Sequence, residues 1–274
     1  MQIDWHQILI ECKINVKASI KPFLKTIKDP QPNLGVGAGG DAMKPMDLAA
    51  ETAILDTLKS HDVSFTLISE ESGVKKFGEA AEECIVTLDP IDGSTNFMHG
   101  LPFYCCSIAI SRHPMLADAY AGMVADLVHG ATYTAIKGKG AYRDDEKIKP
   151  STTAVLQDAV IGLDLNTYKV KEVVPKLTSL IAETKHIRHF GANALELCFV
   201  ADGSTDAFVD IRGKLRTTDV AAAFLILKEA GGIMTTPNNH VLNVELDPKQ
   251  TLSFVASGNM QIHQKILTLV KSLC

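Results

Sequence analysis

The most informative segment of this 274-residue chain reads Leu88-Asp89-Pro90-Ile91-Asp92-Gly93-Ser94-Thr95-Asn96-Phe97. It follows an apolar run at residues 84–88, which is typical of a buried strand. Asp89 is therefore expected at the carboxyl end of that strand, where loops build functional sites. Gly93 permits a close approach of the backbone, and the residues after it can offer N–H groups at a helix start. The segment predicts an anion cradle beside two carboxylates.

Carboxylates beside an anion cradle suit a site in which divalent cations lie between the protein and the anion. Ligands that are all oxygen, without Cys or His, favour Mg²⁺ or Mn²⁺ over Zn²⁺. The segment could instead be a simple turn, since Asp, Pro and Gly are all turn residues. Two further acidic positions favour the metal site: Glu70 and Glu71 end an apolar run, and Asp219 precedes an apolar helix. Asp219 alone could equally be a helix N-cap.

Apolar spacing along the rest of the chain predicts a layered α/β fold. The first helix is predicted from Trp5, with Ile27 still in its apolar pattern, and Pro22 should kink or end it. Further helices are predicted over residues 45–60, 170–184 and 219–230, the last stopped by Gly231 and Gly232. Strands are predicted at residues 65–69, 85–88, 105–111, 119–125, 131–136, 159–163 and 207–210.

The strand pattern changes near residue 151. Before it, turn signals at residues 138–140 and 144–145 indicate hairpins in a sheet that is rich in antiparallel pairs. After it, strands and helices alternate. We therefore expect two halves of one body: residues 1–150, an α+β half with the metal-binding turn, and residues 151–274, an α/β half that completes the active site.

Composition and charge exclude several classes of protein. With 46% hydrophobic and 22% charged residues, the chain is neither disordered nor fibrous. A formal charge of −5 argues against a nucleic-acid partner, and the longest apolar run, residues 220–227, is shorter than the ~20 residues that cross a bilayer. The N-terminus shows no secretory pattern, and the six cysteines form no Cys-x-x-Cys pair. We expect a cytoplasmic protein with free, mostly buried thiols and no membrane partner.

The acidic segments, in this order and spacing, resemble the signatures of the inositol monophosphatase superfamily, and especially its archaeal-type enzymes that act on inositol monophosphate and fructose 1,6-bisphosphate. The matching segments are Asp89-Pro-Ile-Asp-Gly-Ser94, Asp219-Val-Ala-Ala222 through Glu229-Ala-Gly-Gly232, and Glu70-Glu71-Ser72. The resemblance runs from about residue 35 to residue 258. It implies an alternating α-β-α-β-α sandwich, a homodimer, and a phosphoric monoester hydrolase that acts on a small sugar or inositol phosphate.

The resemblance also implies a set of metal ligands. Glu70, Asp89 and the backbone carbonyl of Ile91 would hold one Mg²⁺. Asp89, Asp92 and Asp219 would hold a second, so that Asp89 bridges the two ions. A third, weaker ion would share Glu70. Mn²⁺ is an alternative cofactor, and Li⁺ would inhibit by competing for the place of the second ion.

The catalytic roles implied by the resemblance concern three side chains. Asp47, which lies where the family keeps an acid before the third signature, would hydrogen-bond the hydroxyl of Ser94. Ser94 and Glu70 together would orient and deprotonate the attacking water. The N–H groups of Gly93 and Ser94 would grip the phosphate. This chain departs from the common pattern in having Thr218 where many members have Trp, Ser94 in place of Thr, and no Thr directly before Asp47.

Substrate selection is expected from basic residues near the site. Arg188, Arg212 and Arg216 either form a solvated loop or grip the second phosphate of a bisphosphate, because arginine binds phosphate with two parallel hydrogen bonds. Asp210 would then accept a hydroxyl of the sugar or inositol. The complete set expected to bind substrate is Asp92, Gly93, Ser94, Arg188, Gly191, Asn193, Asp210, Arg212 and Arg216.

The sequence is also compatible with two rival functions, and it contains two weaker motifs. A phosphatase of the same superfamily that acts on 3′-phosphoadenosine 5′-phosphate is disfavoured by the Ser-Thr-Asn-Phe continuation at residues 94–97. A non-catalytic regulatory module is disfavoured because every acidic ligand is present. Residues 35–40 match Gly-x-Gly-x-x-Gly, but no strand precedes them, so a lid beside the metals, with Asp41 and Lys44 near its hinge, is preferred to a dinucleotide site. His186 and His189 are interpreted as structural.

Overall fold

The computed structural model describes residues 3–25, 32–166, 168 and 171–271. Eight strands form a large sheet in the order β2-β1-β3-β4-β5-β6-β7-β8. These strands are β1 (Phe65–Ser69), β2 (Gly73–Phe77), β3 (Ile85–Asp92), β4 (Cys105–Ser111), β5 (Ala119–Asp126), β6 (Thr132–Ile136), β7 (Gly140–Arg143) and β8 (Glu146–Lys147). Only β1 and β3 pair in parallel among the neighbours in this order, which confirms an antiparallel-rich sheet.

Five strands form a smaller sheet in the order β10-β9-β11-β13-β12. They are β9 (Val160–Leu163), β10 (His186–Arg188), β11 (Ala207–Arg216), β12 (Ile233–Thr235) and β13 (Thr251–Ser257). β9 runs parallel to both of its neighbours, whereas β13 is antiparallel to β11 and β12. The smaller sheet is therefore mixed.

The described part of the chain contains seven α-helices, six of which form three layers that alternate with the sheets. They are α1 (Trp5–Ile20), α2 (Pro45–Ser60), α3 (Ser94–His99), α4 (Val173–Glu183), α5 (Asn193–Asp202), α6 (Thr217–Ala230) and α7 (Met260–Lys271). α1 and α2 cover the outer face of the large sheet, α5 and α6 lie between the sheets, and α4 and α7 cover the outer face of the smaller sheet. This order confirms the predicted α-β-α-β-α sandwich.

The period of two along a strand produces these layers. On β4, Cys106, Ile108 and Ile110 pack in the core that α1 and α2 cover, whereas Cys105 and Ala109 pack in the core around α5 and α6. The strand is buried along its whole length, so it is apolar on both faces. None of the described helices is long and apolar enough to cross a membrane, and the five described cysteines are buried and free, with Cys274 outside the described residues.

The structure corrects two predicted boundaries at the site. β3 does not end at Leu88 but continues to Asp92, because Asp89 pairs with Ser107 and Asp92 pairs with Cys105 across an irregularity between them. The two carboxylates therefore lie on the last part of a strand, and the irregularity sets their separate directions.

The helix that carries Asp219 begins two residues earlier than predicted, at Thr217. Asp219 is its third residue, and its carboxylate accepts a hydrogen bond from the backbone N–H of Arg216, in the manner of a capping box. The N-cap is Arg216, so the interpretation of Asp219 as the N-cap is wrong. Other boundaries agree more closely: α1 ends at Ile20, before Pro22, while Ile27 and Val170 lie outside the described residues.

Candidate active site

A cavity of about 920 Å³ lies where the two sheets approach each other, at the ends of β1, β3 and β11 and the starts of α3 and α6. Most of the predicted site residues line it: Asp47, Glu70, Asp89, Ile91, Asp92, Gly93, Ser94, Gly191, Asn193, Arg212, Arg216 and Asp219. Asp210 and Arg188 are not among its lining residues. The structure thus brings residues from both halves of the chain to one place.

Three acidic side chains form the centre of the cavity. Glu70 follows β1, Asp89 lies on β3 and Asp219 lies in the first turn of α6, and one carboxylate oxygen of each lies within 4.8 Å of the others. Asp92 lies beyond the irregularity in β3. Its Oδ2 accepts a hydrogen bond from Ala194 N at 2.6 Å, which fixes the carboxylate against the start of α5.

The electrostatics of this cluster fit a divalent cation. Burial, and then the charge of Asp219, raises the pKa of Glu70 to about 9 and that of Asp92 to about 7. Burial, followed by the charges of Glu70 and Asp219, raises the pKa of Asp89 well above its usual range. Carboxylates that repel one another and have lost their water are stabilised by a cation between them. The donor set is all oxygen, as Mg²⁺ and Mn²⁺ prefer.

Arg216 supplies positive charge inside this cluster. Its Nη2 lies 2.6 Å from Glu70 Oε1, and its Nε lies 3.7 Å from Asp219 Oδ1. Its Nη1 lies 2.8 Å from Asp41 Oδ2, on the loop that covers the site. Arg216 was predicted from sequence as a residue that binds the second phosphate, and the structure shows that carboxylates already contact its guanidinium.

The surroundings of Ser94 differ from those implied by the family resemblance. Lys44 Nζ donates a hydrogen bond to Ser94 Oγ, and Asp47 Oδ1 has no hydrogen-bond partner among the described residues. The implied Asp47–Ser94 hydrogen bond is therefore absent from this part of the structure. Asp47 stays buried near Lys44, and burial together with the charge of Glu71 raises the pKa of Asp47 to about 7.

The three arginines lie in three different environments. Arg212 Nη2 lies 2.6 Å from both Asp164 Oδ2 and Asp210 Oδ2, so two buried carboxylates hold it beside the cavity. Asp210 is fully buried by this pairing, which explains why it does not line the cavity. Arg188 is exposed, and its Nη1 donates to the carbonyl of Ile187. The structure therefore does not bring Arg188 into the site, because its side chain leaves the edge strand towards solvent.

Backbone groups and two asparagine side chains form the wall of the cavity next to Gly93. Asn193 Oδ1 is buried and has no hydrogen-bond partner among the described residues. The N–H of Gly191 donates to Glu196 Oε1 at 2.9 Å, and Asn96 Nδ2 donates to the carbonyl of Phe190 at 2.7 Å. These contacts fix the segment before α5 next to Gly93. Gly191 and Asn193 therefore line the cavity, and their contact with the substrate stays a prediction.

Sequence reasoning missed the contacts of Lys44, Asp164 and Glu196. One feature could have drawn attention to Lys44. It is the N-cap of α2, where a positive charge opposes the helix dipole and no side-chain hydrogen bond caps the helix. Asp164 follows β9 and Glu196 lies in the first turn of α5, positions that sequence alone does not distinguish from ordinary polar residues.

The glycine-rich segment contacts the residues directly after β1, beside the acidic group. Gly39 N donates to the carbonyl of Glu70 at 2.8 Å, and Ala38 N donates to the carbonyl of Glu71 at 3.0 Å. A bridge between Val36 and Ala42 closes the loop. No strand–helix unit surrounds these glycines in the described residues, which agrees with a loop beside the acidic group rather than a dinucleotide site.

Comparisons with known proteins agree with this geometry. A model of the inositol monophosphatase family matches residues 9–273. A fructose-1,6-bisphosphatase/inositol-1-monophosphatase of Methanothermobacter thermautotrophicus is 34% identical over 271 residues, which cover 96% of this chain and 95% of that protein. A bifunctional NADP phosphatase/NAD kinase of Methanococcus maripaludis is 33% identical over 97% of this chain but 49% of that protein. A crystal structure of an inositol monophosphatase–fructose 1,6-bisphosphatase has a TM-score of 0.86 and 30% identity, covering 97% of this chain and 100% of that one.

Proposed function

This chain belongs to the inositol monophosphatase family and is a phosphoric monoester hydrolase, and from that premise we propose that it is an Mg²⁺-dependent phosphatase of fructose 1,6-bisphosphate, inositol 1-phosphate or both. The observation that carries the proposal is the group of half-buried Glu70 and buried Asp89 and Asp219, one carboxylate oxygen of each lying within 4.8 Å of the others. Such a group is unfavourable without a cation and well suited to hold one.

The proposed metal ligands form two sets that share Asp89. Glu70, Asp89 and the carbonyl of Ile91 hold one ion, and Asp89, Asp92 and Asp219 hold the other. A bound divalent ion would lower the pKa of the water that it binds and would neutralise charge on the attacking and leaving oxygens. A third, weaker ion at Glu70, replacement by Mn²⁺ and inhibition by Li⁺ belong to the same proposal.

The protein's own groups orient the substrate. Gly93 and Ser94 line the cavity at the start of α3, and their N–H groups are assigned to bind oxygens of the scissile phosphate. The hydroxyl of Ser94 and the carboxylate of Glu70 orient the attacking water and take up its proton. Lys44 donates to Ser94 Oγ and thereby fixes that hydroxyl. Asp47 acts on this pair through Lys44 rather than by a direct hydrogen bond.

The choice between a monophosphate and a bisphosphate depends on a cation one sugar-length from the metals. Arg212 and Arg216 both line the cavity, so either can share its donors with a second phosphate. Replacing Arg212, which pairs with Asp164 and Asp210 and not with the proposed metal ligands, by Ala should weaken the affinity for fructose 1,6-bisphosphate about 10- to 150-fold. Inositol 1-phosphate should be nearly unaffected. Arg188 is the matched control, because its exposed side chain does not line the cavity.

NADP phosphatase activity is a second candidate. It is supported by the relative whose name includes that activity and which matches 97% of this chain. The cavity of about 920 Å³ is also large for a sugar phosphate. Hydrolysis of 3′-phosphoadenosine 5′-phosphate stays the alternative within the superfamily.

A homodimer and a cytoplasmic location complete the proposal. The dimer is supported by an apolar surface made by Leu101, which is 52% exposed, and by three half-buried rings. Phe103 stacks on Phe190 with centroids 4.9 Å apart, and Phe199 meets Phe103 edge-on at 5.7 Å. Free, buried thiols support a reducing compartment.

A phosphate-release assay tests the proposed substrate. Fructose 1,6-bisphosphate, inositol 1-phosphate, NADP⁺ and 3′-phosphoadenosine 5′-phosphate are compared at equal concentration with saturating Mg²⁺. We expect the highest kcat/KM for fructose 1,6-bisphosphate or inositol 1-phosphate. A kcat/KM at least tenfold higher for NADP⁺ would replace the primary proposal by the second candidate.

A further inference from the structure

Arg216 lies where a cation is expected, and it connects the metal centre to the covering loop. Nη2 contacts Glu70 Oε1 at 2.6 Å, while Nη1 contacts Asp41 Oδ2 at 2.8 Å and the carbonyl of Gly39 at 3.2 Å. The side chain is only 16% exposed. One guanidinium therefore joins a proposed metal ligand on one side to the glycine-rich loop on the other.

The loop is shaped to this contact. A Cβ atom built on Gly39 would lie 2.7 Å from Arg216 Nη1 and 2.9 Å from Glu70 Cγ, both too close for any side chain. Glycine at this position thus permits the loop to approach Arg216 and Glu70 together. This close packing explains the glycine at position 39.

We propose that Arg216 is a built-in cation that competes with a divalent ion for Glu70, so that metal binding at Glu70 and the Arg216 contact that holds the loop are alternatives. The proposal rests on the proposed function, because it requires Glu70 to be a metal ligand. Its physical reason is that a guanidinium and a divalent ion repel each other when both approach one buried carboxylate, where the effective dielectric constant is low. Removing the guanidinium removes that repulsion.

A purely structural role for Arg216 predicts the opposite sign. If Arg216 only holds Glu70 in place and caps α6, its loss leaves the ligand misplaced and metal binding weaker. The direction of the change in metal affinity therefore separates the two interpretations. Coupling between two binding events in one protein typically changes affinity by about 5- to 150-fold, and we take this range for the effect of the Arg216 contact on metal binding.

The test is a titration with Mn²⁺, with free Mn²⁺ measured by electron paramagnetic resonance. For Arg216→Gln we expect a dissociation constant about tenfold lower than that of the unmodified protein. Arg143→Gln is the matched control, because Arg143 pairs with buried Asp202 at 2.9 Å outside the site, and its Mn²⁺ affinity should not change. Arg216→Lys keeps the positive charge but lacks the planar guanidinium. Its Mn²⁺ dissociation constant should therefore lie between those of Arg216→Gln and the unmodified protein.

Thermal unfolding provides a second readout, because a purely structural role predicts that the Tm difference between Arg216→Gln and the unmodified protein does not shrink when Mn²⁺ is added. Arg216→Gln should lower Tm in metal-free buffer, and the difference from the unmodified protein should shrink with saturating Mn²⁺, because the ion replaces the lost charge. Equal or weaker Mn²⁺ binding by Arg216→Gln, or a Tm difference that Mn²⁺ leaves unchanged, overturns the proposal. Failure of the unmodified protein to bind Mn²⁺ contradicts the proposed metal site itself.

Discussion

Ser94 is the residue whose surroundings depart most from the family resemblance, since Lys44 rather than Asp47 contacts its hydroxyl. Ser94→Ala should lower kcat by about 100-fold, because the attacking water loses an orienting group. Metal affinity should stay the same, since Ser94 is not one of the proposed ligands. Ser94→Thr, which restores the hydroxyl, should recover most of the activity. Normal kcat for the Ala variant would remove Ser94 from the mechanism.

Buried His263 makes folding stability depend on pH. Its Nδ1 lies 2.6 Å from Ser257 Oγ and its Nε2 lies 3.0 Å from Thr235 Oγ1. Burial lowers the pKa of His263 to about 4, whereas an exposed histidine titrates near about 6.5. The folded protein therefore binds this proton less readily than the unfolded chain. The resulting stability is present above pH ~6.5 and is lost as pH falls towards 4.

The loss from His263 should approach about 3 kcal/mol. Urea unfolding at pH 7 and pH 4.5 measures it for the unmodified protein and for His263→Gln, which has no imidazole to protonate. The unmodified protein should lose more free energy of unfolding over this range than the variant. An identical loss in both proteins would show that His263 does not titrate as its burial indicates.

At the scale of single residues, the sequence predicts the candidate metal ligands better than it predicts which side chains pair with the site residues. The sequence singles out Glu70, Asp89 and Asp219 because each lies close to a predicted strand end or helix start, and their role as metal ligands stays a prediction. The partners of Arg212 could not all be predicted, because two helices and a strand (α4, β10 and α5) separate Asp164 from the strand that carries Arg212. Tertiary structure brings the two together, and no local pattern records that.

The C-terminal end of α6 shows what the Glu-Ala-Gly-Gly motif does. Glu229 Oε1 accepts from Gly138 N and Oε2 accepts from Gly140 N, both at 2.9 Å. Gly231, with φ of 98°, then ends the helix in a conformation that favours glycine. The motif thus joins α6 to the turn between β6 and β7.

Glu229→Ala should lower the free energy of unfolding by about 1–3 kcal/mol, because two backbone donors lose a charged acceptor. Glu229→Gln, which keeps one oxygen acceptor, should cost less. Chemical denaturation measures both. Activity of the folded variants should be unchanged, since Glu229 lies away from the cavity. An unchanged free energy of unfolding for Glu229→Ala would mean that water satisfies the two backbone N–H groups as well as the carboxylate does.

Element boundaries were predictable where composition is decisive. Pro22 marks the end of α1 and Gly231 marks the end of α6, each by backbone geometry. β2 was not predicted, because three of its five residues are exposed and its charges mask the strand pattern. β12, β13 and α7 were also not predicted. Short apolar runs of this kind match a strand or a buried helix equally well, and packing decides between them.

Across the whole molecule, the aromatic surface around Leu101 is the proposed dimer contact. Sedimentation equilibrium at micromolar concentration should give a dimer for the unmodified protein. Leu101→Glu should shift it towards monomer, because a charge would be buried against the partner's apolar surface. Val241→Glu is the control, since Val241 is 86% exposed elsewhere on the surface. A monomeric unmodified protein contradicts the dimer.

The layered architecture was predictable from the alternation of apolar runs together with the family resemblance. The division of the chain at residue 150 stays a prediction. The cavity itself was not predictable in shape, because residues far apart in sequence form it: Lys44, Asp89 and Arg216 come from three separate elements. Their meeting depends on how the two sheets pack across α5 and α6.

The central claim is that a divalent ion held by Asp89 and its neighbours is required for phosphate release. The most direct measurement is phosphate release from fructose 1,6-bisphosphate and inositol 1-phosphate by the unmodified protein and by Asp89→Asn, each after metal removal and after addition of Mg²⁺. We predict activity only for the unmodified protein with Mg²⁺. Phosphate release at the full rate by the metal-free protein, or by Asp89→Asn, would contradict the account.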